Sequence, residues 1–216
     1  MTKIKNIIWD WNGTIVNDSW VFVDVMNVFL KKQGLPLTSL DEYKKNFCFP
    51  IQKYWKGLGF VFNDKEFNVI NKKFIQQYQK KMFLPKLHHG IVSVINRINK
   101  KNFSQFVLSA SEQSLLNKSI EHYKLASKFK GVFGVDNLNA SGKGLLGKKL
   151  ILKNKLNPNS TLLIGDTEYD WETARFLQCN VLLISHGHIC NSRLKKTGCV
   201  VVKNIAELKR WLLINL

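Results

Sequence analysis

The sequence has few cysteines and no long apolar segment, and each shortage excludes a class of protein. Its four cysteines form no Cys-x-x-Cys pair, and a chain of 216 residues does not depend on a disulfide framework, so we expect reduced thiols. No apolar run approaches the roughly 18 residues that a membrane-spanning helix needs. An acidic residue, Asp10, interrupts the amino-terminal segment before a signal-peptide apolar region could develop. The sequence therefore predicts a cytoplasmic protein without a membrane partner.

Acidic residues and arginine are also scarce. The chain has 15 Asp and Glu residues against 33 Lys and Arg residues, which gives a formal net charge of +18. Such a charge is compatible with nucleic acid, an anionic membrane surface or an anionic small substrate. Only four of the 33 basic residues are arginine, although base reading and two-point phosphate binding favour arginine over lysine. Nucleic acid is therefore not expected as the main partner, and the sequence carries no signal for the oligomeric state.

What the sequence does contain is a short apolar run that ends on a carboxylate. Residues 5–14 read Lys-Asn-Ile-Ile-Trp-Asp-Trp-Asn-Gly-Thr, in which a buried strand would stop at Asp10 and a glycine-containing turn would follow. Open α/β sheets bind ligands at the carboxyl ends of their strands, so Asp10 is a candidate site residue. An aspartate before a glycine turn is also ordinary turn chemistry, and for this motif alone both interpretations stay open.

From residue 103 onwards, apolar strand patterns alternate with helical patterns. This alternation predicts an α/β fold with a mostly parallel sheet and helices on both faces. Residues 16–83 have helical periodicity but no convincing strand, so we expect an inserted α-helical cap domain there, with residues 1–15 and 84–216 forming the α/β core domain. The later strands are expected over 103–109, 131–135, 161–164, 181–184 and 199–202.

Three of the predicted strands end on polar side chains, namely Asp10, Ser109 and Asp166, and Asp170 follows the last of them. The carboxyl ends of parallel strands lie at one edge of the sheet, so we expect the three acids to converge there. Clustered carboxylates repel unless a cation or a shared proton holds them together, and such oxygen ligands suit Mg²⁺. Acids, a hydroxyl and nearby lysines are what phosphoryl transfer requires, and Asp10 could attack phosphorus in line to give an aspartyl-phosphate.

The same residues carry a resemblance to a known family. The chain resembles the haloacid dehalogenase (HAD) superfamily of phosphatases, and within it the phosphoglycolate phosphatase-like branch, whose members have a Rossmann-like parallel sheet and a helical cap. Four motifs match in order and spacing over nearly the whole chain. They are Asp10-Trp11-Asn12-Gly13-Thr14, Val-Leu-Ser109-Ala-Ser, Ala-Ser-Gly-Lys143-Gly and Gly165-Asp166-Thr167-Glu168-Tyr169-Asp170.

The resemblance implies a metal-binding role for four matching positions. Asp10 would be both the nucleophile and a Mg²⁺ ligand. The backbone carbonyl of Asn12 would be a second ligand and Asp166 a third. Asp170 would bind the metal through a water molecule or support the other ligands.

The resemblance also implies how the substrate is held. Ser109, with the neighbouring Ala110, would hold the phosphoryl oxygens. Lys143 would pair with both Asp10 and the phosphoryl group, and Lys148 is the alternative lysine. The expected substrate is a small phosphorylated metabolite.

One position departs from the family pattern. The family's phosphatases carry a second aspartate two residues after the nucleophile, where this chain has Asn12. That aspartate is the general acid and base, a role worth about 10²–10⁴-fold that an amide cannot fill. Three interpretations stay open: substrates with good leaving groups, another acid such as Asp18, or a weakly active or non-catalytic phosphate-binding or interaction protein. Because the other motif residues are present, the sequence favours a Mg²⁺-dependent hydrolase.

Other polar residues have simpler interpretations. His186 and His188 lie near Cys190 and Cys199 in the sequence, but their spacing matches no closed zinc pattern, so we expect a loop beside the site. The histidine pair that begins at His88 is expected at the surface or on the cap.

Substrate choice is expected to depend on the cap. Residues 47–50 could form a loop that faces the site, with Lys44, Lys45 or Lys53 near an anionic substrate. The apolar stripe of the helix expected over 63–82 is assigned to core or lid packing. Nothing in the sequence identifies the substrate itself.

Overall fold

The computed structural model describes residues 3–216, which form a six-stranded sheet in the order β3-β2-β1-β4-β5-β6 with every neighbouring pair parallel. All residues of the two central strands β1 and β4 are buried, as expected for a parallel sheet that helices cover on both faces. The predicted α/β fold with a Rossmann-like parallel sheet is thus confirmed. The strands are β1 (Asn6–Trp9), β2 (Ser104–Glu112), β3 (Gly131–Val135), β4 (Thr161–Gly165), β5 (Asn180–Ile184) and β6 (Val200–Val202).

The α-helices of the described residues fall into two groups. The first five follow β1 before the next strand of the sheet, and the others alternate with the later strands. No helix within residues 3–216 combines the length and the apolar character that crossing a membrane would require. The helices are α1 (Ser19–Lys32), α2 (Leu40–Asn46), α3 (Ile51–Gly57), α4 (Asp64–Lys81), α5 (Ile91–Lys100), α6 (Gln113–His122), α7 (Lys143–Lys153), α8 (Glu168–Phe176), α9 (Asn191–Lys195) and α10 (Ile205–Asn215).

Strand β2 ends later than predicted, and this end lies at the edge of the sheet where the site is expected. The sequence pattern predicts an end at Ser109, but the strand continues to Glu112. It pairs with β1 only as far as Val107, and its register with β3 shifts between Ser109 and Glu112. An irregularity of this kind lets a strand continue while it redirects its side chains. Ser109 therefore still lies just beyond the level at which β1 ends.

The segment between β1 and α5 contributes α1–α4 and adds no strand to the sheet. Isolated bridges join Val16 to Asn12 and to Leu87, so the two ends of the segment lie side by side. The four helices pack around an aromatic-rich apolar cluster that also includes Leu115 of α6 and Leu183 of β5. We call residues 16–83 the insertion; that they form a separate cap domain stays a prediction.

Two tryptophans lock the end of β1 into the core on either side of Asp10. Both are buried, and the indole Nε1 of Trp9 donates to Gln105 Oε1 at 2.8 Å. The indole of Trp11 donates to Ser119 Oγ at 2.9 Å. Satisfied indole groups of this kind fix ring orientation in a core, so the backbone that presents Asp10 is held from two sides.

Candidate active site

The structure brings the predicted polar residues together at one edge of the sheet. Asp10 follows β1, its backbone N–H donates to the Ile164 carbonyl of β4 at 2.9 Å, and Asp166 follows β4 directly. Ser109 lies on the neighbouring β2, and Asp170 lies in the first turn of α8. All four of these side chains are buried. We call Asp10, Ser109, Asp166 and Asp170, together with Lys143, the floor of the site.

Lys143 is the cation at the centre of the floor. It is the first residue of α7, it is 2% exposed, and its Nζ lies 2.5 Å from Asp10 Oδ1 and 2.5 Å from Asp170 Oδ1. Burial alone would lower the pKa of this lysine, but the charges of Asp10 and Asp170 outweigh burial and raise it. Lys143 is therefore charged. Lys148, the alternative in the sequence, is exposed on the same helix.

Two sets of contacts hold Asp170 in position: the capping of α8 and the contact with Lys143. Thr167 caps α8, and the Thr167 hydroxyl and the Asp170 carboxylate form a reciprocal capping box. Asp170 Oδ2 accepts from the backbone N–H of Asp166, the backbone N–H of Thr167 and the Thr167 hydroxyl. Its other oxygen accepts from Lys143, so Asp170 orients the lysine from a fixed position.

The Asp166 carboxylate lies in a tight cradle. It accepts from Thr14 Oγ1 at 2.7 Å and from the backbone N–H of His188 at 2.6 Å. A Cβ atom at Gly13 or at Gly187 would overlap this carboxylate, and Gly13 also has a φ of +76°. These two positions therefore require glycine, because the chain must pass directly over Asp166.

The three floor carboxylates carry more negative charge than one lysine neutralises. Asp10, Asp166 and Asp170 each offer an oxygen within 4.8 Å of the others, and residues 3–216 contain no second group of three or more His, Cys, Asp or Glu side chains with such spacing. Burial raises the pKa of Asp10 well above its ordinary value; Lys143 opposes this shift, and the charges of Asp170 and Asp166 add to it. Burial also raises the pKa of Asp166 to about 6. Oxygen donors with uncompensated charge fit a divalent cation such as Mg²⁺.

Ser109 and its neighbours form the side of the site nearest β2. The Ser109 hydroxyl accepts from the backbone N–H of Ser111 at 3.1 Å, which turns the chain after the strand pairing with β1 has ended. Ser109, Ala110 and Ser111 all line the same cavity as Asp10 and Lys143. A hydroxyl and a bent backbone are thus presented next to the carboxylate of Asp10.

Asn12 is the centre of a hydrogen-bond network that the sequence did not reveal. Its Nδ2 donates to Asp18 Oδ2 at 2.5 Å and to the Tyr78 hydroxyl at 2.9 Å, and its Oδ1 accepts from Ser111 Oγ at 2.7 Å. Asp18 is fully buried and also accepts from the Tyr78 hydroxyl and from the backbone N–H of Gly13. Asp18 precedes α1 but makes no capping bond to it, because its carboxylate is used in this network.

Asp18 does not have the properties of a substitute acid. Burial favours its neutral form, but bonds from His188, Asn12 and Tyr78 outweigh burial and lower the pKa of Asp18. An ionised carboxylate has no proton to give to a leaving group. The structure therefore argues against Asp18 as the replacement general acid.

His188 is a site residue that sequence reasoning placed only in a nearby loop. It is 4% exposed and lines the cavity, and its Nε2 lies 3.4 Å from Asp18 Oδ1. Its Nδ1 lies 2.8 Å from the hydroxyl of Tyr43 in the insertion. The spacing of histidines and cysteines in the sequence matches no closed zinc pattern and gives no signal for this contact either, because its partners lie 145 and 170 positions away.

His88 is buried rather than exposed, which corrects the surface or cap interpretation. Its ring stacks on that of His186 with centroids 3.4 Å apart and 5° between the planes. His88 Nε2 lies 2.9 Å from the Gly13 carbonyl, and His186 Nε2 lies 3.2 Å from the Thr14 carbonyl. Burial lowers the pKa of His88 to about 4 and that of His186 to about 3, so both rings are neutral. The pair supports the turn that carries the Asp10 motif.

A cavity of about 130 Å³ lies between the floor and the insertion. Asp10, Asn12, Ser109 and Lys143 line its lower side. The predicted loop at 47–50 does face the cavity, whereas Lys44, Lys45 and Lys53 do not line it. We call the insertion side chains that line the cavity the roof. Aromatic rings dominate the roof and include Phe22, Phe47, Phe49, Trp55, Phe74 and Tyr78.

Solved structures with the same fold cover almost the whole chain. A predicted phosphatase from Clostridium acetobutylicum is 18% identical with a TM-score of 0.85, over 98% of this chain and 99% of that one. A predicted phosphoglycolate phosphatase from Haemophilus somnus is 18% identical with a TM-score of 0.78, over 98% and 99% of the two chains. A haloacid dehalogenase-like family hydrolase from Streptococcus pneumoniae is 18% identical with a TM-score of 0.81, over 98% and 100%. Identities this low establish the fold alone.

The sequence itself identifies the family. No curated protein matches the chain. The family profile of haloacid dehalogenase-like hydrolases matches residues 7–184, which span β1 to β5 and therefore include every floor residue. With this match and the fold shared with the solved structures, the chain belongs to the haloacid dehalogenase-like hydrolase family.

Proposed function

We propose that the protein is a Mg²⁺-dependent phosphatase that hydrolyses a small phosphorylated metabolite through an aspartyl-phosphate on Asp10. The observation that carries the proposal is the position of Lys143, whose ammonium lies 2.5 Å from both Asp10 and Asp170. A buried cation beside a carboxylate at the end of a strand suits a site that accepts an anionic phosphoryl group. The phosphatases named among the solved structures are consistent with this class of reaction.

The reaction has two steps at phosphorus. In the first, an Asp10 carboxylate oxygen forms a bond to phosphorus while the bond between phosphorus and the ester oxygen breaks, and the leaving group departs as its oxyanion, which then takes up a proton from water. In the second, water attacks phosphorus, the bond to Asp10 breaks and inorganic phosphate is released. Ser109, the adjacent Ala110 and Lys143 hold the phosphoryl oxygens during both steps.

The metal would be held by Asp10, Asp166 and the backbone carbonyl of Asn12. When bound, Mg²⁺ supplies positive charge that keeps the crowded carboxylates ionised and offsets the charge on the phosphoryl oxygens. Asp170 supports this arrangement by holding Lys143, because both of its oxygens already accept hydrogen bonds from the protein.

Asn12 also favours a second candidate function. Because its amide cannot donate a proton to a leaving group, the same floor could bind a phosphate compound without efficient turnover. The protein would then be a weakly active or non-catalytic phosphate-binding protein.

Replacement of Asp10 by Asn tests the proposal. We expect Mg²⁺-dependent release of inorganic phosphate from a panel of phosphate monoesters, its loss on addition of EDTA, and a fall to the background rate in Asp10→Asn. Asp24→Asn is the matched control, since Asp24 is exposed and pairs with Lys81 at the surface. Activity that survives unchanged in Asp10→Asn rules out the nucleophile. Calorimetric binding of phosphate without any release supports the second candidate instead.

A further inference from the structure

The roof side chains that a substrate would contact are aromatic rings and aliphatic groups rather than charged groups. Several of the roof's polar groups are engaged within the protein: the Tyr43 hydroxyl with His188, the Tyr78 hydroxyl with Asp18, and the Asn71 side-chain N–H with the Leu138 carbonyl. Phe49 and Ile75 line the cavity and are half-buried, so part of their apolar surface is open to a ligand. Burying apolar surface here favours an apolar leaving group.

A second anion on the substrate would lack a cationic partner. Lys143 is the only lysine or arginine among the described residues that line the cavity, and it already contacts two floor carboxylates. His188 also lines it, but Asp18 and Tyr43 occupy its two ring nitrogens. Lys44 donates to the His186 carbonyl instead of lining the cavity. A carboxylate such as that of phosphoglycolate would therefore be buried without charge compensation, which is costly.

Tyr54 contributes a neutral polar group to the roof. The buried Tyr54 hydroxyl has no hydrogen-bond partner among residues 3–216, although Tyr54 lines the cavity. A single neutral hydroxyl does not compensate a buried carboxylate, so Tyr54 does not change the preference against a second anion.

Asn12, which lines the cavity beside the floor, places a separate demand on the leaving group. Both hydrogens of the Asn12 amide are used, one by Asp18 and one by Tyr78, and the amide has no acidic proton. A leaving group that departs without protonation must be a weak base. A phenol, with a pKa of about 10, meets this demand far better than an alkyl alcohol, whose pKa is close to that of water at about 16.

We propose that the substrate is a phosphate monoester of a neutral phenol, that is, an aryl phosphate whose ring lies against the roof. This inference rests on the proposed phosphatase function and specifies its substrate class. The cavity of about 130 Å³ is close in size to a cavity of about 150 Å³ that accepts a benzene ring. The aromatic roof and the missing acid are independent features that select the same chemical class.

Four substrates distinguish the effect of the aromatic roof from the effect of the missing acid. For each, kcat and KM are measured in the presence of Mg²⁺. Phenyl phosphate has a ring and a good leaving group, benzyl phosphate has a ring and a poor leaving group, acetyl phosphate has a good leaving group and no ring, and phosphoglycolate has neither. We expect benzyl phosphate to match phenyl phosphate in KM but to have a kcat lower by about 10²–10⁴-fold. We expect acetyl phosphate to have a KM about 10- to 100-fold above that of phenyl phosphate, because it lacks the buried ring.

The outcomes distinguish this inference from the proposed function. Turnover of phosphoglycolate with a higher kcat/KM than phenyl phosphate, in an enzyme that Asp10→Asn inactivates, overturns the substrate class and leaves the phosphatase intact. Absence of turnover with all four compounds overturns both. The expected order, with separate effects on kcat and KM, supports both.

A cation placed in the roof gives a second test. Ile75→Lys introduces a charge at a half-buried cavity position, and Ile75→Met is the matched neutral control of similar length. We expect Ile75→Lys to raise the ratio of kcat/KM for phosphoglycolate to that for phenyl phosphate by at least about tenfold over Ile75→Met. An unchanged ratio in a folded Ile75→Lys protein overturns the argument that charge compensation excludes anionic leaving groups.

Discussion

The floor and the roof of the cavity differ in almost every physical property. The floor consists of buried charges that hold one another in place, with Lys143 between Asp10 and Asp170. The roof consists of packed aromatic rings and contributes no lysine or arginine to the cavity, although the chain as a whole has a formal net charge of +18. The excess of lysine therefore lies outside the cavity. Under the proposed function, the floor would determine the reaction and the roof would determine which molecule reaches it.

The two regions meet through a few polar contacts. Tyr78 of α4 donates to Asp18, which also binds Asn12, and Tyr43 of α2 contacts His188. Arg193 of α9 adds a third link, because it pairs with Glu168 and donates to the Phe47 carbonyl. These contacts position the roof relative to Asp10, so variants within them show how far the two regions act independently.

The largest expected effect comes from breaking the floor at its cation. Lys143→Met leaves the carboxylates of Asp10 and Asp170 buried without their ammonium partner. Removal of one partner of a buried ion pair costs about 3–5 kcal/mol of unfolding free energy. Loss of a positioned charge in the active site costs about 10²–10³-fold in kcat. Urea unfolding without Mg²⁺ measures the first quantity, and phosphate release measures the second.

Lys148→Met is the control for this prediction, since Lys148 is exposed on the same helix. We expect its unfolding free energy to stay within about 0.5 kcal/mol of the parent protein. Equal stabilities of the two variants would show that Lys143 does not hold the floor together.

The floor could be predicted from the sequence because its geometry is nearly local. Asp10 and Asp166 each follow an apolar strand directly, and parallel strands bring their carboxyl ends to one edge, so these two acids can be placed without knowledge of long-range packing. The family resemblance favours Lys143 over Lys148 because Lys148 is expected within the following helix, and in the structure Lys143 is the first residue of that helix. The prediction erred on the end of β2, where a register shift carries the strand past Ser109.

The roof could not be predicted in the same way. Periodicity showed that α4 has an apolar stripe, and Phe67, Phe74 and Tyr78 are indeed buried. It did not show that Phe74 and Tyr78 line a cavity, because that depends on where α4 lies relative to the sheet. Contacts such as Tyr78 to Asp18, 60 residues apart, determine this placement, and no local pattern encodes them.

An exchange of the side chains at positions 12 and 18, where the floor meets the insertion, tests whether the lack of a general acid limits the reaction. Asn12→Asp alone would place a carboxylate against Asp18 where an amide now donates at 2.5 Å, so we expect repulsion and a loss of about 1–3 kcal/mol. The double variant Asn12→Asp with Asp18→Asn restores a donor and an acceptor at the same two positions. It also supplies a carboxyl group at position 12, and we expect kcat for benzyl phosphate to rise by about 10²-fold.

Asp18→Asn alone is the control for the exchange, since it changes the network without adding an acid. We expect no gain with benzyl phosphate in this variant, and little gain with phenyl phosphate in the double variant because phenol needs no protonation. A benzyl phosphate kcat that stays unchanged in a stable double variant would show that Asn12 does not limit the reaction.

The smallest effect on the reaction is expected from the stacked histidines that hold the turn between the floor and the insertion. Burial lowers the pKa of His88 to about 4 and that of His186 to about 3, whereas unfolded histidine titrates near 6.5. The unfolded chain therefore takes up protons first as the pH falls. The stabilisation from the neutral pair is fully present above about pH 6.5 and is lost as the pH falls towards 4.

We expect the pair to lose about 1–2 kcal/mol of stabilisation per histidine between pH 6.5 and 5. In His88→Gln with His186→Gln this part of the pH dependence disappears, and urea unfolding at several pH values measures it. His89→Gln is the control, because His89 is the exposed neighbour of His88. If the histidines support the floor rather than the roof, the double variant also lowers kcat for phenyl phosphate while its KM stays constant. A change in KM alone would show instead that the histidine pair affects substrate binding at the roof. In that case the turn could not be assigned to the floor alone.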